Sequence, residues 1–117
     1  MTRGRPSRVE LLQGTLDLLI LRTLLFGPTH GHSIAKHIQR TSEDILQVET
    51  GSLYPALHRL EARGWITASR DQSDLGKRAK YYRLTRRGRK ELAAEHSKWE
   101  TFSRAMGLVL KPIPQEP

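Results

Sequence analysis

Apolar positions along the chain fall into blocks, and the spacing within each block predicts an element. From Thr15 to Phe26, Leu16, Leu18, Leu19, Ile20, Leu21, Leu24 and Leu25 leave almost no polar face. A helix apolar on nearly all sides is central and buried. Thr15 is read as its N-cap, and Asp17 is read as lying in the first turn, where the helix dipole favours an acid. Gly27-Pro28 ends it. His30-Gly31-His32 reads as a short connection. Ser33 to Arg40 reads as a second helix, apolar at Ile34, Ala35 and Ile38, with Lys36, His37 and Arg40 outside. The polar stretch Thr41 to Thr50, around Ile45, Leu46 and Val48, reads as a turn or loop.

A third helix is predicted from about Gly51 to Arg63. Leu53, Leu57 and Leu60 form one stripe at i, i+4 and i+7. Tyr54, Pro55, His58, Arg59 and Ala62 point the other way at about 100° per residue. Proline suits only the first turn, so Pro55 puts the helix start near Gly51 or Ser52, and Gly64 ends it as the C′ glycine. Alternation then takes over. Ile66 and Ala68 share one side of Trp65 to Arg70, while Tyr82 and Leu84 share the inward side of Ala79 to Thr85. The polar loop Asp71 to Arg78 joins these strands into a hairpin. A last helix runs from Thr85 or Arg86 to about Leu110. In it Leu92, Trp99 and Met106 recur in heptads, with Phe102 and Val109 at companion positions and Glu95 as a polar defect. That pattern is a seam for another helix. The prolines Pro112, Pro114 and Pro117 make the tail non-helical.

Helix, helix, helix, two-stranded hairpin, helix is the order of a winged helix-turn-helix. The expected fold class is therefore mostly α (α+β), a winged helix-turn-helix with a C-terminal dimerisation helix. The expected organisation is a flexible basic arm over 1–10, a DNA-binding domain over 11–88, the dimerisation helix over 89–110 and a disordered tail over 111–117. In this fold one helix enters the major groove and the hairpin reaches the neighbouring backbone.

Charge strengthens that reading. The 117 residues carry 20 Lys+Arg against 12 Asp+Glu, a formal charge of +8, and the pI is near 10.4. Small proteins this basic favour polyanions, nucleic acid before acidic membrane. The absence of cysteine rules out a disulfide framework, a Cys-based zinc finger and thiol catalysis, and is compatible with a cytoplasmic protein. The basic N-terminal residues are not followed by an apolar signal region. The apolar stretch Leu16 to Phe26, broken by Asp17, Arg22 and Thr23, is too short to span a bilayer.

The candidate DNA contacts are Ser52, Tyr54, Pro55, His58 and Arg59 of the third helix and Lys77, Arg78 and Lys80 of the wing. Ser52 sits where a helix N-terminus can bind phosphate. Tyr54 offers either a hydroxyl and aromatic edge to DNA or an apolar cover for the core edge. Arg59 suits a guanine edge or a phosphate. His30, His32 and His37 lack the Cys or close carboxylate that a closed zinc site would need, so no metal and no cofactor are expected. No nucleophile elbow, phosphate loop or paired carboxylates point to an enzyme. The rival reading is a winged helix that binds proteins without specific DNA binding. The basic wing and the polar face of Ser52 to Arg59 favour DNA.

Several motifs together resemble the PadR family of transcriptional regulators. The run Leu11-Leu12-Gln13-Gly14-Thr15-Leu16-Asp17-Leu18-Leu19-Ile20-Leu21 is similar to the family's first helix, and Gly27-Pro28-Thr29-His30-Gly31 to its turn. Gly51-Ser52-Leu53-Tyr54-Pro55-Ala56-Leu57-His58-Arg59-Leu60-Glu61 resembles its recognition helix. Gly64-Trp65-Ile66, Arg78-Ala79-Lys80-Tyr81-Tyr82 and Leu84-Thr85-Arg86-Arg87-Gly88 resemble its wing and the entry to its last helix. His32 stands where relatives often carry Tyr. The resemblance covers about Leu11 to Leu92 and implies a bacterial, cytoplasmic regulator, usually a repressor. It would act as a homodimer on double-stranded, pseudo-palindromic DNA. With a single C-terminal helix it would fall in the short subfamily, some of which bind flat hydrophobic effectors between protomers. The residues for a dimer interface or such a ligand are then Leu12, Leu92, Trp99, Phe102, Met106 and Val109. Trp99 serves either as a packing residue or as a stacking platform.

Overall fold

The computed structural model describes residues 9–10, 13–72 and 78–112, and side chains from Gly14 to Arg70 and from Lys80 to Pro112. The chain is mostly helical with a small sheet. In order it forms β1 (Val9–Glu10), α1 (Gln13–Leu24), β2 (Thr29–His30), α2 (Gly31–Thr41), β3 (Leu46–Gln47), α3 (Thr50–Ala62), β4 (Ile66–Gln72), β5 (Arg78–Leu84) and α4 (Arg86–Val109). The antiparallel sheet has the order β2-β5-β4. Helices α2 and α3 with the β4–β5 hairpin make the winged helix-turn-helix.

The apolar first helix lies at the centre, as its pattern requires. Leu16, Ile20, Leu21 and Leu24 are buried, and α1 packs against α2, α3, α4 and β5. Ile34 and Ile38 of α2, Leu53, Ala56, Leu57 and Leu60 of α3, Ile66, Tyr82 and Leu84 of the hairpin and Leu92 of α4 complete the core. Thr23, buried on α1, donates to the Leu19 carbonyl at 2.8 Å, so its hydroxyl adds no unpaired donor. The Tyr82 hydroxyl is pushed above the usual tyrosine range, first by burial and then by the Glu61 carboxylate.

Several local expectations need correction. Helix α1 starts at Gln13, so Thr15 is inside it rather than its N-cap, and Asp17 lies past the first turn. Asp17 is buried by tertiary packing instead, at 6% exposure. Helix α3 starts at Thr50 with Glu49 as N-cap, which puts Pro55 in the second turn. There Pro55 forgoes one backbone hydrogen bond on an exposed face, where water can satisfy the freed carbonyl. The connection read at His30 to His32 is a strand followed directly by a helix. Thr29 pairs with Tyr82 and His30 with Tyr81, which gives the wing a third strand. Within the segment read as a flexible arm, Val9 and Glu10 pair in parallel with Leu46 and Gln47. Strands of two residues carry no periodic signal, so pattern reading passes over them.

One node sets the wing against α3 and α4. Helix α3 ends in a Schellman motif, with Gly64 at φ +78° and the Trp65 amide donating to the Leu60 carbonyl at 3.0 Å. The Thr85 amide donates to the Trp65 carbonyl at 3.0 Å. Thr85 also caps α4, its hydroxyl accepting from the Gly88 amide at 2.9 Å. Gly88 is buried there, and the position requires glycine because a Cβ would collide with the Trp65 carbonyl and lie 2.8 Å from a methyl of Leu84.

Two stability outcomes are expected. Gly88→Ala should cost about 1–3 kcal/mol by overpacking, read as a lower melting temperature with the far-ultraviolet spectrum retained. Because the folded state raises the Tyr82 pKa, its contribution is complete below about pH 10, the usual tyrosine value, and is lost as pH rises through the folded-state pKa. Stability should therefore fall above about pH 10 in wild type, and fall less in Tyr82→Phe, when urea midpoints are compared.

Candidate nucleic-acid interface

Helix α3 presents two unlike faces. Leu53, Ala56, Leu57 and Leu60 face the core, while Gly51, Ser52, Tyr54, Pro55 and His58 are exposed. Gly51, Tyr54, Pro55 and His58 stand at i, i+3, i+4 and i+7, one contiguous strip about 10 Å long. Tyr54 both packs and projects. It is 37% exposed, yet its ring lies so close to Gly31 that a Cβ there would sit 3.1 Å from Cε1 and 3.2 Å from the hydroxyl oxygen. The glycine at the start of α2 therefore lets the Tyr54 ring approach that helix closely.

Arg59 departs from the outward placement expected of it. Its Nη2 donates to Oδ1 of Asp17 at 2.8 Å, and its Nε is enclosed as well. Arg63, one turn later, brings Nη1 to 3.9 Å from the other Asp17 oxygen, while its guanidinium stacks 5.2 Å from the Trp65 ring centre. The helical wheel placed Arg59 beside the exposed strip; the buried acid on α1 turns its side chain inward. Long-range charge pairing of this kind, 42 residues apart, has no local sequence signature.

The wing is a ladder of seven paired residues on each strand, from Ile66 opposite Leu84 to Gln72 opposite Arg78. Side chains directly opposite share a face. That face begins apolar at Ile66 with Leu84 and Ala68 with Tyr82, then becomes basic where Arg70 faces Lys80. Lys80 keeps its Nζ 5.6 Å from the centre of the Tyr82 ring. Opposed like charges oppose strand pairing, and an anion between them removes that repulsion. Arg70 is the one residue here that strand patterning missed, because its partner is known only once the register is. Lys77 lies outside the described residues, as does the side chain of Arg78.

Helix α4 leaves the domain after Leu92. Leu92 itself is buried in the protein's own core, and it also lines the groove beside Trp99. Beyond it Trp99, Phe102, Met106 and Val109 are 43%, 56%, 42% and 80% exposed. The Trp99 and Phe102 rings lie 6.0 Å apart, tilted by 41°. A groove of about 390 Å³ runs between α1 and α4, lined by Thr15, Leu18, Leu19 and Arg22 on one side and Leu92, His96 and Trp99 on the other, with Leu46 at its edge. On α1 the groove wall is a stripe in which Thr15, Leu18 and Leu19 are half-buried and Arg22 is exposed. Leu12, expected at this surface, lies outside the described residues. The His30 ring lies 4.1 Å from that of Tyr81, tilted by 44°, and His37 lies 5.9 Å from the Phe26 ring. Among the described residues no helix is long and apolar enough to cross a membrane.

Comparison with known proteins agrees with this geometry. Residues 20–94 match the transcriptional regulator PadR-like family. An uncharacterised protein X of Lysinibacillus sphaericus is 32% identical over 107 residues, 91% of this chain and 97% of its own. The transcriptional regulator Rv3488 of Mycobacterium tuberculosis is 30% identical over 95 residues, 81% and 85% of the two chains. Among solved structures, a transcriptional regulator from Clostridium thermocellum superposes with a TM-score of 0.78 at 29% identity, over 85% of this chain and 96% of that one. A PadR family transcription regulator from Clostridium difficile gives 0.72 at 32% identity, over 82% and 98%. With the winged helix, the exposed strip of α3 and the basic hairpin all in place, the chain belongs to the PadR family of transcriptional regulators, and is a DNA-binding regulatory protein.

Proposed function

We propose that the protein is a repressor that binds a pseudo-palindromic operator as a homodimer and is released by a hydrophobic small molecule held between the protomers. The observation that carries the DNA contact is the exposed strip of α3 lying in a domain whose wing bears the opposed cations Arg70 and Lys80. Ser52, Tyr54, Pro55 and His58 face the bases and flanking phosphates of the major groove. Lys80, with Arg78 and Lys77 at the hairpin end, neutralises the adjacent backbone. Arg59 does not read bases in this scheme, because its guanidinium is engaged by Asp17.

The dimer reading rests on α4. Its 24 residues span about 36 Å, and its second half carries large apolar side chains that stay exposed among the described residues. Exposed apolar surface of this kind marks an interaction site. A second copy of α4, packed against Trp99, Phe102, Met106 and Val109, buries it and sets two copies of α3 about one turn of DNA apart. The groove beside Trp99 gives an aromatic or aliphatic effector a place at that same boundary, where occupancy alters the separation of the two heads.

Two measurements test this. Fluorescence anisotropy at two salt concentrations, with the protein's own upstream promoter and a scrambled duplex, should show a preference of about a thousandfold or more for the promoter. The variant Lys77→Ala/Arg78→Ala/Lys80→Ala should bind more weakly, with a salt slope reduced by about 0.9 for each phosphate that is no longer neutralised. Equal weak binding of both duplexes would refute a specific operator. In sedimentation, wild type should run as a dimer and Trp99→Ala/Phe102→Glu as a folded monomer that loses operator affinity; a dimeric double variant would exclude this seam.

A further inference from the structure

We propose that Asp17 is a positioning residue for DNA recognition: through the Arg59 guanidinium it holds α3 at a set rotation against α1. The inference rests on the reading of α3 as the helix that enters the groove. Asp17 is a carboxylate at 6% exposure on a helix that is otherwise the apolar centre of the fold. Taking a carboxylate out of water costs several kcal/mol, and a well-packed apolar pair would stabilise such a place as well or better. The ion pair is thus a poor stabiliser, but it is directional. Packing of Leu53, Ala56, Leu57 and Leu60 is not directional, because apolar burial depends on area rather than angle.

The contact geometry supplies the direction. One carboxylate meets Arg59 at 2.8 Å and approaches Arg63 at 3.9 Å, two residues one turn apart on α3. Anchors at i and i+4 define both the rotation and the tilt of a helix. Pro55 stands about 40° around the helix from Arg59, and His58 about 100°. A change in the anchor therefore swings the reading strip directly. On the far side of α1, Leu18 and Leu19 line the groove shared with Trp99. Asp17 thus sits between the surface proposed to set the dimer spacing and the helix proposed to read bases.

Charge makes the inference separable from electrostatics. Asp17→Asn raises the formal charge by one from +8 and frees two arginines, which should hold or increase affinity for any DNA. An operator duplex is first selected by the wild-type protein from random DNA. Affinities for it and for a scrambled duplex are then measured for wild type, Asp17→Asn, Arg59→Met and the double variant, with thermal melts in parallel. Asp17→Asn is expected to lower the preference for the operator about tenfold while scrambled binding stays level or rises. The double variant should lose no more preference than Asp17→Asn alone, because Asp17 acts through Arg59. If Asp17→Asn melts below the working temperature, the double variant, which leaves no charge on Arg59 unpaired, carries the comparison. An unchanged operator preference in the folded variants overturns the inference, as does an additive loss. A wild type that selects no operator removes the proposed function and this inference together.

Discussion

The structure depends on the burial of α1. Leu16, Ile20, Leu21 and Leu24 are at most 2% exposed, and this one helix is packed by α2, α3, α4 and the wing strand β5. In a chain of 117 residues a single apolar rod is the economical way to build a core, because a small domain has few positions that are enclosed on every side. The other three helices and β5 take their places by covering part of that rod. Helix α3 covers one side with Leu53, Leu57 and Leu60 and so turns Tyr54, Pro55 and His58 to solvent. The first turns of α4 cover another side through Leu92, leaving Thr15, Leu18 and Leu19 half-buried along the groove.

Backbone chemistry converts that packing into a rigid head. The Schellman end of α3, the Trp65 carbonyl and the Thr85 cap join three elements through short, directional hydrogen bonds. Gly88 lets α4 approach the Trp65 backbone closely. The wing is thereby held at its base by the same node that ends the reading helix, and its third strand, Thr29–His30, ties it to the start of α2. A wing anchored at both α2 and α3 presents Arg70 and Lys80 in a fixed relation to the exposed strip of α3.

Much of this was legible in the sequence, and for identifiable reasons. The order of elements came from period: near-continuous leucine for α1, an i, i+4, i+7 stripe for α3, alternation for the hairpin and heptads for α4. Gly64 as the end of α3 followed from cap chemistry, which is local. The inward placing of Tyr82 and Leu84 followed from the two-residue strand period. The strip Ser52, Tyr54, Pro55 and His58 was legible because it is what remains of a helix once its apolar stripe is assigned.

The sequence by itself therefore determined the element order, the core face of each long element and the surplus of positive charge, because these depend on neighbours within one or two turns of chain. The tertiary structure decided what depends on residues far apart. It turned Arg59 from the reading face to Asp17, 42 positions away. It set Arg70 opposite Lys80, packed Leu92 into the core of the head, and paired strands of only two residues. A side chain's periodic position says which way its Cβ points. Where a long charged side chain ends is settled by the charge it can reach, and that is a property of the packed fold.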